Sequence, residues 1–535
     1  MAVIKKVIKG CHLVRLTPKF VLLTSFIVFC INVLVLWSYT MDDSYIFYRY
    51  ASNLYHYGQI AFNLNEPQPA EGITSPLWMI LLSLSHVVGI EVLVYSKILG
   101  IVFSLGTALL LYSLTKYHAK RLLSWSDEHS KVIGALSFFV LITDPYFSGN
   151  AVSGMETSLS GFIVLYFYKV TALENCEKYL FYTPVIGVLA CLSRPEAIVI
   201  VIIVYTIAYS DKKNLLYLKQ LFLFLLLGLV YFNIRYSYYE TTFPLPFYIK
   251  QSFLSGVGYT LKFLLYWKIV VLVLIIGWVC FNIRKHKTEL MIPYLLIFGL
   301  VLYWLTPEHL MGFGYRYFQP IVAFIILLSI TIVAIIFNNL KALLSHSSIS
   351  KLILVIGCFT LFGLSMIASE TKTAYNMYLD YSSGMNILEG VGKSFSKIDS
   401  ATHRSIAMTD CGAVPYFSKW RVLDLGGLNN RVIALDYTPQ TIMKVLANEL
   451  PDVVIMVSKN IDRFNPVFEH EKEFEKNYLS VGYTLMCALD IYSNYKYFLY
   501  ARDTDFGSDI IKVLEENKVR VHRYFLPSLE SKNQS

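Results

Sequence analysis

Long runs of apolar residues, many close to the length that spans a bilayer, recur along the chain until about Ser369. A transmembrane helix needs about 20 predominantly apolar residues. Charged residues make up only 16% of the chain, whereas a soluble domain carries roughly a quarter. The sequence therefore predicts an α-helical polytopic membrane protein with a separate domain after the last apolar run.

The basic residues cluster in short loops between these runs, and this distribution predicts the orientation. Lysine and arginine are retained on the cytoplasmic side, so the basic residues before the first run place the N-terminus inside. We count about eleven transmembrane helices, provided that the short run Ser75–Gly89 lies along the outer interface as an interfacial helix. The odd number places the C-terminal part outside. The net charge of +9 belongs to these loops, so it does not indicate binding of nucleic acid.

The composition changes at about residue 370, which predicts a transmembrane domain over 1–369 and an extracytoplasmic domain over 370–535. In the second part, "RSIAMTD", "WRVLDL" and "PDVVIMVS" are typical of buried strands. "TPQTIMKVLANEL" predicts an amphipathic helix that begins at Thr438-Pro439. Strand, helix and strand in this order favour a small α/β domain with parallel pairing. Cys411 and Cys487 fall in this domain, and a disulfide between them is one possibility.

Two adjacent aspartates, Asp42 and Asp43, stand at the start of the predicted first outer loop, residues 40–91. Adjacent carboxylates repel each other, so one of them acquires a pKa raised toward neutral pH and can act as a general base. The alternative is that the pair only caps a helix N-terminus.

A row of aromatic residues follows the acidic pair. It suits an interfacial helix with an aromatic belt, and it also suits stacking against a sugar. The members of the row are Tyr45, Phe47, Tyr48, Tyr50, Tyr55 and Tyr57.

Eight further polar residues fall at or near the predicted outer ends of helices, and none of them is at mid-span. A transporter is expected to place ionisable groups near the midplane of the bilayer. The outer clustering favours a reaction centre at the membrane–water boundary instead. The candidate substrate-binding residues are Glu71, Thr74, Glu156, Arg194, Glu196, Lys250, His309 and Arg316.

Each candidate also has a structural interpretation. Glu71 and Thr74 lie in a loop with two prolines and a glycine that can be a rigid connector. Glu156 is favourable at a helix N-terminus, and Arg194 can pair internally with Glu196 or Glu156. Arg316 can reach a lipid phosphate at the membrane surface, or it can hold the phosphate of a polyprenyl substrate. Lys250 and His309 have the same two interpretations.

Taken together, the motifs resemble the GT-C class of multi-spanning glycosyltransferases, and within it the bacterial terminal β-(1→2) arabinofuranosyltransferase-type proteins. The resemblance extends from Asp42 to about Leu450. The stretches that carry it are "MDDSYIFYRYASNLYHYGQIAFN", "EGITSPLW", "SGMETSL", "LSRPEA", "GYRYFQP" and "TDCGAVPYFSKWRVLDLGGLNN". The sequence departs from the pattern at "FPLPFYIK", where the family often carries Asn-Thr after the proline, and at Cys411, where alanine is more usual.

The resemblance implies inverting transfer of a sugar, possibly arabinofuranose, from a polyprenyl phosphate on the outer face of the bacterial inner membrane. The family's acidic pair maps onto Asp42 and Asp43, its outer arginine onto Arg316, and its Arg-Pro-Glu onto Arg194 and Glu196. The expected partners are the lipid-linked donor, a glycan or glycolipid acceptor, and membrane lipids.

Two other functions are compatible with the sequence. One is a transporter or flippase for lipid-linked sugars, and the other is a non-catalytic partner in the assembly of a surface polysaccharide. No cofactor is expected. A divalent ion could bind the carboxylate pair, but two adjacent acids are too few ligands to define a metal site.

Overall fold

The computed structural model describes residues 17–174, 180–250, 254–268, 270–271, 273–275, 287–307, 311–343, 348–398, 404–479 and 481–524. A helical part is followed by a small mixed sheet with its own helices. The predicted fold class, a polytopic helical protein with a C-terminal α/β domain, is confirmed. His309 lies outside the described residues.

Helices fill the part of the chain before the sheet. They begin after helix-starting signals in several places: Thr17 accepts a hydrogen bond from the Phe20 amide and Pro18 occupies the first turn. The helices are Pro18–Val35, Asp42–Tyr57, Pro76–Val88, Val92–Leu123, Asp127–Ile142, Pro145–Val152, Thr157–Tyr168, Tyr182–Ser193, Ala197–Lys212, Leu216–Tyr239, Leu245–Ile249, Val257–Tyr266, Lys287–Trp304, Gln319–Leu343 and Ser348–Phe395.

Four helical segments of the described part are long and apolar enough to cross a membrane: Pro18–Val35, Val92–Leu123, Leu216–Tyr239 and Phe313–Ile336. A fifth span results if Asp127–Ile142 and Pro145–Val152, which are bent by 64°, count as one. The sequence-based count of about eleven also includes shorter apolar helices, such as Tyr182–Ser193 and Leu290–Trp304.

One long helix joins the two parts of the molecule. It runs without interruption from Ser348 to Phe395, so the predicted domain boundary at 369/370 falls inside a helix. Its C-terminal end packs on the α/β domain, where the rings of Phe395 and Trp420 stack with centroids 4.9 Å apart.

In the described part of the C-terminal domain, the sheet has six strands in the order β2-β1-β3-β5-β4-β6. The first three, β1 (Ser405–Met408), β2 (Arg421–Asp424) and β3 (Val453–Ser458), pair in parallel. The others pair antiparallel: β4 (Thr484–Tyr492), β5 (Tyr495–Ala501) and β6 (Val521–Arg523). The helices of this domain are Ala413–Ser418, Arg431–Leu435, Pro439–Glu449, Glu469–Asn477 and Thr504–Glu516.

The sequence predicts the parallel half of this sheet and misses the antiparallel half. All three predicted strands are present, and the predicted helix begins at Pro439 with the Thr438 hydroxyl accepting from the Thr441 amide. The proposed disulfide is absent, because Cys411 and Cys487 are both buried as free thiols. Cys487 lies on β4, which pairs with β5 and β6 rather than with the parallel strands.

The α/β domain is fixed to the first outer loop by buried polar contacts. Arg49 donates to the carbonyl oxygens of Phe62 (2.7 Å), Pro415 (2.8 Å) and Trp420 (2.9 Å). The Asn63 side chain accepts from the Val422 amide (3.0 Å) and donates to the Val422 carbonyl (2.8 Å), as a neighbouring strand would. Because buried polar groups need partners, these contacts hold the sheet against the loop that carries the aspartate pair.

Candidate active site

The aspartate pair begins the Asp42–Tyr57 helix but does not cap it. The capping residue is Met41, and no side chain makes a capping hydrogen bond there. The Met41 amide donates to the Ser153 carbonyl at 2.9 Å, which fixes the helix start against the "SGMETSL" segment. The pair therefore makes no capping hydrogen bond, and both carboxylates have contacts elsewhere, although both lie in the first turn, where the helix dipole favours a negative charge.

Asp42 is buried and faces the α/β domain. Its Oδ1 accepts a hydrogen bond from the Ala413 amide at 2.8 Å, and its own amide donates to the Tyr381 hydroxyl at 3.0 Å. Burial is the main cause that raises the pKa of Asp42, and the negative charges of Asp410 and Asp43 act in the same direction. Together, and against the lowering effect of the Ala413 and Gly412 amides, they raise the pKa to about 8. A carboxyl with a pKa near working pH is suited to general-base catalysis.

The loop around Asp42 leaves no room for a side chain at residue 412. A Cβ placed on Gly412 would lie 2.2 Å from the Asp42 carbonyl oxygen and 2.4 Å from its Oδ1. Glycine is needed here because the backbone of the α/β domain approaches the carboxylate directly.

We expect Gly412→Ala to push the Ala413 amide away from Asp42 and to lower the transfer rate at least tenfold, because small displacements of reacting groups are costly. A suitable control is Gly258→Ala, since a Cβ there meets nothing within 4 Å. Rates measured on both purified variants decide the question, and equal rates would show that this close approach is irrelevant.

Asp43 pairs with Arg316. Its Oδ2 accepts from the arginine at 2.6 Å, and the same guanidinium contacts the Met41 sulfur at 2.9 Å and the Tyr317 hydroxyl at 3.1 Å. Only 3% of the Arg316 side chain is exposed. Arg316 therefore does not reach out to lipid phosphate, which removes the anchoring interpretation.

A tight turn sets Arg316 in this position. Gly314 and Tyr315 both have positive φ, 65° and 52°. The Asn150 side chain donates to the Gly314 carbonyl at 2.8 Å, and a Cβ on Gly314 would lie 2.2 Å from the Tyr378 hydroxyl. This backbone conformation and close packing explain the glycine of "GYRYFQP".

Arg194 lies between two glutamates at the break between helices Tyr182–Ser193 and Ala197–Lys212. It contacts the Glu156 carboxylate at 2.6 Å and also pairs with Glu196. All three side chains are buried. Both internal ion pairs considered from the sequence are thus present, and the Glu156 carboxylate makes no capping hydrogen bond.

Three cations surround the ring of Tyr317. The guanidinium carbons of Arg316 and Arg194 lie 4.9 Å and 5.1 Å from its centroid, and the Lys250 ammonium lies 6.0 Å away. Both arginines are matched by carboxylates. Among the described residues, no carboxylate pairs with Lys250.

Several buried polar atoms near this cluster have no hydrogen-bond partner within the described part of the chain. They are Arg316 Nε, Glu156 Oε2, Thr157 Oγ1 and Gln319 Oε1. Buried polar atoms are nearly always satisfied in folded proteins. A polar ligand or water that enters the cluster would supply the missing partners.

Glu71 and Thr74 are placed differently from the other candidates. Glu71 is buried and pairs with Arg235 of the Leu216–Tyr239 helix, and burial raises its pKa to about 7. Thr74 is half-buried. No contact in the described structure joins either side chain to the aspartate pair or to Arg316, and their role in substrate binding stays a prediction.

The aromatic row divides into a buried and an exposed part. Tyr45, Phe47, Tyr48 and Tyr50 are at most 5% exposed, whereas Tyr55 and Tyr57 are 47% and 62% exposed. The first four are core residues, and three of them contact the α/β domain: Tyr45 and Tyr48 pack against Tyr416, and the Tyr50 hydroxyl donates to Asn429. Neither the belt nor the sugar-stacking interpretation applies to them, and both remain open for the last two.

Three further functional candidates lie in the C-terminal domain, where no sequence motif indicates a role for them: Asp410, Tyr495 and Tyr497. Asp410 follows β1 and precedes the Gly412–Ala413 loop, and its Oδ2 accepts hydrogen bonds from Tyr495 and Tyr497, both at 2.7 Å. The Asp-Cys-Gly stretch was visible in the sequence. Its proximity to Asp42, hundreds of residues earlier, was not.

The structure resembles solved membrane glycosyltransferases. ArnT from Cupriavidus metallidurans in the apo state aligns with a TM-score of 0.55 and 12% identity, over 90% of this chain and 98% of ArnT. The same enzyme bound to undecaprenyl phosphate aligns with a TM-score of 0.52 and 12% identity, over 89% and 98%. An Archaeoglobus fulgidus oligosaccharyltransferase tethered to an acceptor peptide gives 0.50 and 9%, over 90% and 74%.

The chain has the GT-C fold. At these identities the likeness establishes the architecture alone. No curated protein matches the sequence significantly. Residues 389–502, which include Asp410 and the sheet strands β1 to β5, match a family described only as a domain of unknown function, DUF8728.

Proposed function

We propose that this protein is a glycosyltransferase that moves a sugar from a polyprenyl-phosphate donor to a cell-surface glycan or glycolipid. The observation that carries the proposal is the ion pair between the half-buried Asp43 and the buried Arg316, which lies beside Asp42, a carboxyl whose pKa is raised to about 8. The GT-C fold supports it, as does the presence of undecaprenyl phosphate in one crystal structure of ArnT.

In the proposed reaction, Asp42 takes the proton of an acceptor hydroxyl as that oxygen attacks the anomeric carbon. The bond between the anomeric carbon and the phosphate oxygen breaks, and polyprenyl phosphate leaves with the electron pair. A single displacement of this kind inverts the anomeric centre. Arg316 and Lys250 are suited to stabilise the leaving phosphate, because positive groups act most strongly in a buried site.

Lys250 is of particular interest for the phosphate. Arg316 and Arg194 are already neutralised by carboxylates. The ammonium of Lys250 is half-buried, lies over Tyr317, and has no carboxylate partner among the described residues. Within the described part of the chain its positive charge is uncompensated, so it is suited to bind an anionic head group, in spite of the departure of "FPLPFYIK" from the family pattern.

The experiment that tests the proposal is transfer by purified protein in detergent or liposomes. A panel of polyprenyl-phosphate sugars, with arabinofuranose first because of the sequence resemblance, is incubated with extracted surface glycans and glycolipids. We expect sugar transfer together with release of polyprenyl phosphate. Movement of intact lipid-linked sugar across liposomes without release would favour the flippase alternative instead.

The proposal also places the site on the outer face of the bacterial inner membrane. In a variant whose eight native cysteines are replaced, we expect an impermeant maleimide to label Asn65→Cys in intact spheroplasts. Ser124→Cys, in the basic loop, should react only after permeabilisation. Both positions are exposed. The reverse labelling pattern would contradict the orientation.

A further inference from the structure

The α/β domain reaches into the candidate site with a carboxylate of its own. Asp410 lies two residues after the end of β1. The loop continues from it to Gly412 and Ala413, whose backbone contacts Asp42. Of the charged groups that act on Asp42, Asp410 has the largest effect, ahead of the adjacent Asp43. The second domain therefore completes the surroundings of the proposed base.

Asp410 and Asp42 accept hydrogen bonds from different kinds of donor. Asp410 accepts hydrogen bonds from the hydroxyls of Tyr495 and Tyr497, both at 2.7 Å, and such donors stabilise an ionised carboxylate. Among the described residues, no hydroxyl donates to the Asp42 carboxylate, which accepts hydrogen bonds from the backbone amides of the Gly412–Ala413 loop. When two carboxyl groups interact and only one has several hydrogen-bond donors, that one ionises at the lower pH. The other then retains its proton to a higher pH.

We propose that Asp410 is a positioning residue of the reaction: held by Tyr495 and Tyr497, it carries the negative charge of the pair and keeps Asp42 as the group that exchanges the acceptor's proton near neutral pH. This gives the DUF8728 domain a role, since it supplies the loop that orients the base and the charge that tunes it. The inference rests on the proposed function.

Several other titratable groups face Asp42 and belong to the same electrostatic environment. They come from its own helix, from the long Ser348–Phe395 helix, and from the α/β domain, and Asp43 and Asp410 are the carboxylates among them. The groups that interact with Asp42 are Asp43, Tyr45, Tyr381, Asp410, Cys411, Tyr492, Tyr495 and Tyr497. The hydroxyls and the thiol have pKa values raised by burial, so they stay protonated when the carboxylates titrate.

The first test is the pH profile of kcat/KM for Asp410→Asn. Removing the neighbouring charge lets Asp42 ionise more easily, so we expect the acidic limb to move down by about one pH unit. Asp410→Ser, which is smaller and keeps a hydroxyl for the tyrosines, should move it in the same direction and serves if the first variant does not fold. Asp410→Glu, which keeps the charge, should return the acidic limb to its wild-type position. Asp505 is an exposed carboxylate of the same domain, and Asp505→Asn should leave the limb unchanged. An unmoved limb in a folded uncharged variant overturns the inference.

The second test needs no sugar. Because the folded-state pKa of Asp42 is raised from about 4 to about 8, its contribution to stability is lost as pH rises through that window. We measure Tm against pH for the wild type, Asp42→Asn, Asp410→Asn and the double variant. We expect non-additive pH dependence, since the two groups are coupled, and strict additivity overturns the inference. This readout is independent of whether the tested donor is correct, so its failure is distinguishable from failure of the proposed function.

Discussion

Asp42→Asn is expected to lower sugar transfer by about 10²–10⁴-fold, the usual contribution of a general base. The replacement has the same size and retains a side-chain oxygen to accept from the Ala413 amide at the position of the present 2.8 Å hydrogen bond. It loses the negative charge of the carboxylate and with it the ability to take a proton. The domain contact should survive, and a single peak on size-exclusion chromatography with an unchanged protease pattern verifies this.

The pH dependence adds a second readout to the same experiment. Only the ionised form of Asp42 is a base, and its pKa is raised to about 8, so the wild-type kcat/KM should rise as pH increases toward that value. The residual rate of Asp42→Asn should lack this rise. Asp43→Asn should lower the transfer rate less, because Asp43 pairs with Arg316 and is not the group that takes the proton. Near-normal transfer by Asp42→Asn would remove the catalytic assignment.

Arg316→Ala is expected to reduce transfer by about 10²–10³-fold, comparable to the loss of a donor that stabilises developing charge. The guanidinium contacts Asp43, the Met41 sulfur and the Tyr317 hydroxyl together. Arg316→Lys keeps the charge but loses the planar set of donors, so we expect it to recover activity only in part.

Part of the Arg316→Ala effect arises from an unpaired Asp43 in a largely buried site, because removing one partner of a buried pair is costly. The double variant Arg316→Ala/Asp43→Asn removes this penalty. We expect it to recover thermal stability but not transfer, and Lys250→Met, measured in parallel, to raise the KM for the donor. Transfer restored by the double variant would show that Arg316 only neutralises Asp43.

The sequence predicts helix starts and helix breaks correctly where neighbouring residues determine them. The helix break at "SRPEA" is present because Pro195 cannot continue the preceding helix, and the ion pairs of Arg194 with Glu196 and Glu156 follow from burying a charge at that break. Thr438-Pro439 begins a helix as expected. The β4–β5 hairpin was missed because its turn, Ser493-Asn494, lacks the Asn-Gly signal of tight hairpins.

The burial of the aromatic row was also beyond the sequence. A helix rich in tyrosine at a membrane boundary predicts that one face is exposed. The pattern does not indicate which part of the protein covers the opposite face. The α/β domain covers it here, with Tyr416 and Phe417 against Tyr45. The same docking explains why the half-buried Arg49 lies among three carbonyl oxygens, which its position in the sequence does not indicate.

By itself, the sequence determined that the chain is a helical membrane protein with an added α/β domain, and that its acids and cations lie near the predicted outer ends of helices. These properties follow from apolar run length, charge placement and strand periodicity, which act over a few turns of chain. Only the tertiary structure decided which carboxylates meet which partners. Asp42 meets the Ala413 amide 371 residues along the chain, and Asp43 meets Arg316 after 273. Such contacts depend on how helices and domains pack, and no local pattern encodes that packing.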